Sequence, residues 1–173
     1  AGYDVALPTE YAYKSKSEGG IWEEGDLRRD ESIRYDFTYL GITPTEVSWG
    51  ADELDPHIKK YEDERTDQFN GNLANEWYSG KNFIVLRYAD VLLCYAECLN
   101  ELGETGQANT IVNQVRARAW GGTLPNEMAW NYGQDEFRTQ IMNERIRELC
   151  FEGWRRMDLI RTGKFVELIK ERN

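Results

Sequence analysis

The chain has 173 residues, enough for one domain with a sizeable core. It carries 21 Lys and Arg against 31 Asp and Glu, and a formal charge of −10 argues against nucleic acid or an anionic membrane surface as partner, since basic side chains hold both. No run of about 18 apolar residues occurs, so no membrane-spanning helix is predicted, and Ala1-Gly2-Tyr3-Asp4 lacks the features of a signal peptide.

Residues 1–80 are punctuated by Gly19-Gly20, Gly41-Ile42-Thr43-Pro44 and Asp55-Pro56, which predicts loops with only short regular elements. Ile33, Tyr35, Phe37 and Tyr39 alternate with polar residues and predict one extended strand or short hairpin. The polar stretch from Glu62 to Asn75 reads as a solvated loop.

From Asn82 the period becomes helical. Tyr88, Leu92, Tyr95, Leu99 and Leu102 form one stripe, and Ala89, Leu93 and Ala96 form a neighbouring stripe small enough to admit a second helix. Gly103 supplies the stop, and Thr105-Gly106 opens a helix whose apolar face is Ala108, Ile111, Val112, Val115 and Ala119. The resulting hairpin has the build of a tetratricopeptide-like unit, which buries its open face by stacking on a neighbour. A loop with Trp120, Trp130 and Tyr132 follows. A third helix starts near Asp135, buries Phe137, Ile141, Met142, Ile146 and Leu149, and is expected to end or bend at Gly153. A fourth runs from about Trp154 to Gly163, and Phe165, Leu168 and Ile169 predict a last amphipathic turn or two. The expected fold class is mostly α, with an irregular first half containing short β elements. The expected organisation is one region over 1–173, loop-rich to residue 80 and helical from 81.

Glu144, Glu148 and Glu152 lie four residues apart on one helical face, followed by Arg155 and Asp158. Glycoside hydrolysis needs two carboxyl groups about 5 to 9.5 Å apart across a sugar, one with a raised pKa. Carboxylates stacked along a helix among arginines predict a salt-bridged network instead, and no enzyme is expected. His57 is the sole imidazole, no GxSxG elbow occurs, and Gly103-Glu104-Thr105-Gly106 lacks the lysine of a phosphate loop. Cys94, Cys98 and Cys150 form no CxxC motif, Cys94 and Cys98 are expected to be reduced and metal-free, and no cofactor is expected.

Three segments carry a family resemblance. Leu86-Arg87-Tyr88-Ala89-Asp90-Val91-Leu92-Leu93-Cys94-Tyr95-Ala96-Glu97 resembles the LRYADxLLxYAE signature of the SusD/RagB family. Ala108, Asn113, Val115, Arg116, Arg118 and Ala119 are similar to its A(x4)NxVRxRA helix, and Glu144 to Arg161 to its ERxxELxFEGxRxxDLxR segment. Asp26-Leu27-Arg28 and Lys60-Tyr61 are weaker echoes. The resemblance implies a lipid-anchored protein of the outer-membrane surface that delivers glycans to a SusC-like TonB-dependent transporter. It also implies that this chain is the C-terminal portion of a longer protein.

Scaffold and ligand residues are expected to separate. Arg87, Asp90, Glu97, Glu144, Arg145, Glu148, Glu152, Arg155 and Asp158 are assigned to a structural ionic network. Sugar recognition needs aromatic faces with polar neighbours, and six Trp and ten Tyr exceed the needs of one core. The candidates are Trp22, Trp49, Trp77, Tyr78, Trp120, Trp130 and Tyr132, with loop position favouring Trp49, Trp120 and Trp130. A helical scaffold that grips another protein is the alternative.

Overall fold

The computed structural model describes residues 8–34, 56–61 and 81–172. They fall into two units, one built from residues 1–24 and 29–83 and the other from 25–28 and 84–173. The described residues are mostly helical, with one short pair of strands.

In the first unit, helix α1 (Glu10–Tyr13) is capped by Thr9, whose side chain accepts from the Ala12 amide. A single 3-10 turn over Lys16–Glu18 follows, closed by reciprocal bonds between Ser15 and Glu18. Gly20 is required here, since a Cβ would lie 1.9 Å from the Lys14 carbonyl oxygen. Helix α2 (Arg28–Ser32) leads into strand β1 (Ile33–Arg34), which pairs antiparallel with β2 (His57–Ile58), placing Ile33 opposite Ile58. The sequence predicts extended chain from Ser32 to Leu40, and its first pairing is seen; Tyr35, Phe37, Tyr39 and the 62–75 stretch lie outside the described residues.

The second unit holds the helical hairpin. Helix α3 (Tyr88–Glu101) and helix α4 (Thr105–Ala119) are joined by three residues. Gly103 takes φ +85°, and the amides of Gly103 and Glu104 return to the carbonyls of Asn100 and Leu99, a Schellman closure that a side chain at 103 would strain. Leu93, Ala96 and Leu99 of α3 meet Ala108, Val112 and Val115 of α4, and Phe137, Ile141 and Met142 of α5 (Gln134–Glu148) complete the core with Trp130. Helices α6 (Arg155–Arg161) and α7 (Phe165–Arg172) follow, separated at Gly163.

One expectation is borne out and one is corrected. On α3 the small-residue stripe admits α4, with Leu93 and Ala96 wholly inside; of the larger stripe, Leu99 is buried with them and Leu92 packs against the core, whereas Tyr88 is 73% exposed, Tyr95 50% and Leu102 79%. Close approach of the hairpin's helices selects alanine at the contact, and the larger stripe divides, with Leu99 inside and Tyr88, Tyr95 and Leu102 outside. Helix α5 also ends earlier than Gly153, at Glu148, and the chain turns through Phe151 (φ +62°) before Gly153 (φ +84°).

Candidate functional site

The carboxylates of α5 were the residues that raised the question of catalysis, and their surroundings answer to electrostatics. Glu144 is fully buried. Its Oε1 accepts from Arg28 Nη1 at 2.6 Å, and its Oε2 from Arg116 Nη1 and Arg147 Nη2, both at 2.8 Å. Burial would raise its pKa, but the guanidiniums of Arg28, Arg147 and Arg116 together outweigh that and hold the carboxyl far below the usual range. One turn on, Glu148 accepts from Arg28 at 3.0 Å and pairs with Arg87 and Arg118. Arg87 also reaches Glu152 through Nε at 2.9 Å, and Arg28 forks onto Asp26 with bonds of 2.9 and 2.6 Å.

A second cluster sits around Arg145. Its Nε donates to Asp158 Oδ2 and its Nη1 pairs with Asp90 Oδ1, both at 2.8 Å, while Arg161 joins Asp158 to Glu97 with bonds of 2.6 to 2.8 Å. The first cluster sets five guanidiniums against four carboxylates, and the second sets two against three, so the charges nearly cancel around the buried carboxylates, while Arg118 and Arg161 reach the surface. The structure thus brings Arg87, Glu144, Glu148 and Glu152 together in one group, and Asp90, Glu97, Arg145 and Asp158 in the other. Arg155 is half-buried at the first position of α6. Arg28, Arg116, Arg118, Arg147 and Arg161 were not picked out by charge spacing. Each carboxylate on α5 needed a counter-charge, and the VRxRA arginines were the available signal.

Glu144 is not suited to general acid catalysis. A proton donor needs a raised pKa and an open face toward substrate, whereas Glu144 is held ionised by three arginines within hydrogen-bonding distance.

One thiol borders the second cluster. Cys94 turns its Sγ toward Arg145 Nη1 at 3.4 Å, and desolvation pushes the thiol upward against the pull of that arginine. Cys94 and Cys98 are both exposed and Cys150 is buried. The expected result of brief iodoacetamide treatment of native protein at pH 7 is modification of Cys98 ahead of Cys94, with Cys150 unreacted until denaturation; mass spectrometry of peptides reads the order. Cys94 reacting first would contradict the raised thiol. Among the described residues no group of three or more His, Cys, Asp or Glu side chains is placed to hold a metal ion.

The aromatic candidates divide by burial. Trp22 has no exposed surface and donates its Nε1 to the Ala12 carbonyl at 2.6 Å. Trp130 is 4% exposed, with Phe137 edge-on at 5.7 Å and Tyr132 tilted at 5.1 Å. Both are core residues, and neither offers a ring face to a ligand. Trp120 and Tyr132 are half-buried. Trp120 rests one ring face on Arg116, 4.9 Å from the centroid, and Gly25 lies beside its Nε1 edge. Trp49, Trp77 and Tyr78 lie outside the described residues.

The loop bearing these aromatics is held by side chains of α4. Asn113 exchanges two hydrogen bonds with the Trp130 backbone at 2.7 and 3.0 Å, and Asn109 does the same with Tyr132 at 3.2 and 2.9 Å. Arg116 donates Nε and Nη2 to the Met128 carbonyl at 3.1 and 2.8 Å, and Asn100 donates to the Gln134 carbonyl at 3.1 Å. Sequence reasoning missed this ladder, although Asn113 and Arg116 stand in the second motif.

With this geometry established, comparison with known proteins is direct. The model of the SusD family matches residues 8–172, nearly the whole chain. The chain belongs to the SusD family. It is 40% identical over 155 residues to the SusD-like protein P38 of Formosa agariphila, covering 86% of this chain and 28% of that protein. It is 34% identical over 169 residues to the SusD-like protein P2 of the same organism, covering 92% and 32%. The solved structure of a SusD homolog from Bacteroides thetaiotaomicron matches with a TM-score of 0.62 at 25% identity, over 85% of this chain and 32% of that one. This SusD-family chain thus spans about a third of the length of the relatives it matches.

Proposed function

We propose that this SusD-family chain contributes to non-catalytic binding of an oligosaccharide or related nutrient at the cell surface. The bound sugar would pass to a SusC-like TonB-dependent transporter in the outer membrane, where a lipid anchor holds the full-length protein. Family membership over residues 8–172 carries this reading. The ion-paired state of Glu144 and Glu148 supports binding without cleavage, because both carboxylates are engaged by arginines. We assign both ionic clusters to the scaffold. No helix among the described residues is long and apolar enough to cross a membrane.

Trp120 is the leading ligand residue, a half-buried indole on a loop with one face already supported by Arg116. Trp49, Trp77, Tyr78 and Tyr132 are the further candidates. The expected result for Trp120→Ala is about a two- to tenfold loss of oligosaccharide affinity, the order of one lost aromatic stacking contact. Titration calorimetry with an unchanged circular dichroism spectrum is the check; unaltered affinity would remove Trp120 from the site.

One observation favours a second reading, in which the chain is a scaffold for another protein. Tyr88, Val91, Tyr95 and Leu102 expose an apolar stripe along α3, beside a groove of about 340 Å³ lined by Tyr88, Ala89, Leu92 and Val115 together with Arg87, Gln114 and Arg118. A Tyr95→Arg variant would weaken a protein complex and leave sugar binding intact.

A further inference from the structure

We propose that Glu127 and Asn131 are specificity-determining residues of the sugar site, selecting neutral over anionic oligosaccharides, with Asn109, Asn113 and Arg116 as their positioning residues. The inference rests on the sugar-binding reading above and adds to it a ligand class and the residues that choose it.

The starting point is how the loop is held. Residues two apart in extended chain are separated by about 6.6 Å, and residues four apart on a helix by about 6 Å along its axis. The near match lets Asn109 and Asn113 read the backbones of Tyr132 and Trp130 in succession, as a neighbouring β-strand would. Arg116, at the next turn, takes the Met128 carbonyl. Because these bonds go to main chain, they fix the path of the loop without dictating every side chain on it.

The alternation that follows sorts the side chains. Trp130 is buried and Tyr132 half-buried against the core, while Ala129, Asn131 and Gly133 are exposed between and beyond them. Glu127 is exposed on the 3-10 turn Asn126–Met128 that leads into the extended run. Neither Glu127 nor Asn131 is spent on holding the loop: every bond of the ladder is made by other side chains.

Arg116 ties this row to the candidate stacking residue. Its guanidinium lies 4.9 Å from the Trp120 ring centroid and 5.4 Å from that of Trp130 while holding the Met128 carbonyl. One rigid side chain therefore sets the indole and the turn bearing Glu127 in a common frame. A sugar site of modest affinity gains from such support, since a loop already ordered loses less entropy on binding. The Asn131 amide offers donors and an acceptor for sugar hydroxyls. The Glu127 carboxylate accepts from hydroxyls but repels a uronate or sulfate, which builds discrimination by like charge.

The test is calorimetric titration of the protein with a panel of neutral and uronate-containing oligosaccharides, at low salt and at 1 M salt. The wild type is expected to favour the neutral members. Glu127→Gln should shift the uronate-to-neutral affinity ratio by about threefold or more at low salt, and the shift should disappear at 1 M, where the screening length is about 3 Å. Asn131→Ala should weaken neutral sugars by about fivefold, the order of one neutral hydrogen bond. Asn113→Ala should bring the affinity ratio toward that of Glu127→Gln and speed hydrogen exchange at the Trp130 amide; a ratio does not change when a variant merely lowers the folded fraction. Wild-type binding with Glu127→Gln and Asn131→Ala indistinguishable from it would overturn this inference and leave the sugar-binding reading standing. A wild type that binds no member of the panel would overturn both.

Discussion

Glu144→Ala is expected to destabilise the helical unit by about 3 to 5 kcal/mol, because it leaves buried guanidiniums without their shared counter-ion. Three arginines converge on this carboxylate from the 25–28 segment, from α4 and from α5 itself, so one substitution uncouples three stretches of chain. The same residue gives the protein an acid limit. Its pKa is depressed in the folded state, so its stabilisation is complete above the unfolded carboxylate value of about 4.3 and is lost as pH falls below that toward the folded pKa. Urea unfolding between pH 7 and pH 3 checks both points. Wild-type stability should decline below about pH 4.3, and Glu144→Gln should be less stable at pH 7 with a shallower acid decline. A midpoint that Glu144→Ala leaves unmoved would show that the cluster contributes nothing to folding.

Arg145→Ala should cost about 3 kcal/mol or more by the same mechanism with the signs exchanged. Asp90 on α3 and Asp158 on α6 both depend on this guanidinium at 2.8 Å, and all three residues are buried. Arg161 remains to Asp158, but Asp90 loses its charge partner on α5. Asp90→Asn combined with Arg145→Met, which removes both charges, should recover part of the loss, since a buried ion pair is costly to break and less costly to replace whole. Equal midpoints for wild type and Arg145→Ala would reduce the cluster to a solvated face.

The helices were legible because helical packing imposes a period, and Ala108, Val112, Val115, Phe137 and Ile141 occupy the faces that the period predicts. What periodicity could not reveal is how the larger stripe on α3 divides. Tyr95 and Leu102 look like core by size yet are exposed, whereas Leu99 of the same stripe is buried and Leu92 packs against the core. The charges on α5 were legible as a network in type and spacing. Their complete burial was not, because it depends on Arg28, Arg116 and Arg118, which arrive from distant segments. The asparagine ladder is invisible for a different reason: Asn109 and Asn113 look like ordinary polar helix positions until the loop they hold is in place. Among the tryptophans, Trp22 and Trp130 show that a loop neighbourhood in sequence does not imply an open ring: Trp130 packs into the core of the hairpin, and Trp22 is buried within the first unit.

Titration calorimetry of the protein against a broad oligosaccharide panel, with reducing-end release followed in the same samples, tests the proposed function most directly. Binding to at least one oligosaccharide with a Kd of roughly micromolar to millimolar, about −8 to −4 kcal/mol, and no release of reducing ends is the predicted result. Release of reducing ends that Glu144→Gln abolishes would contradict it, as would the absence of any sugar binding alongside capture of a protein through the α3 stripe.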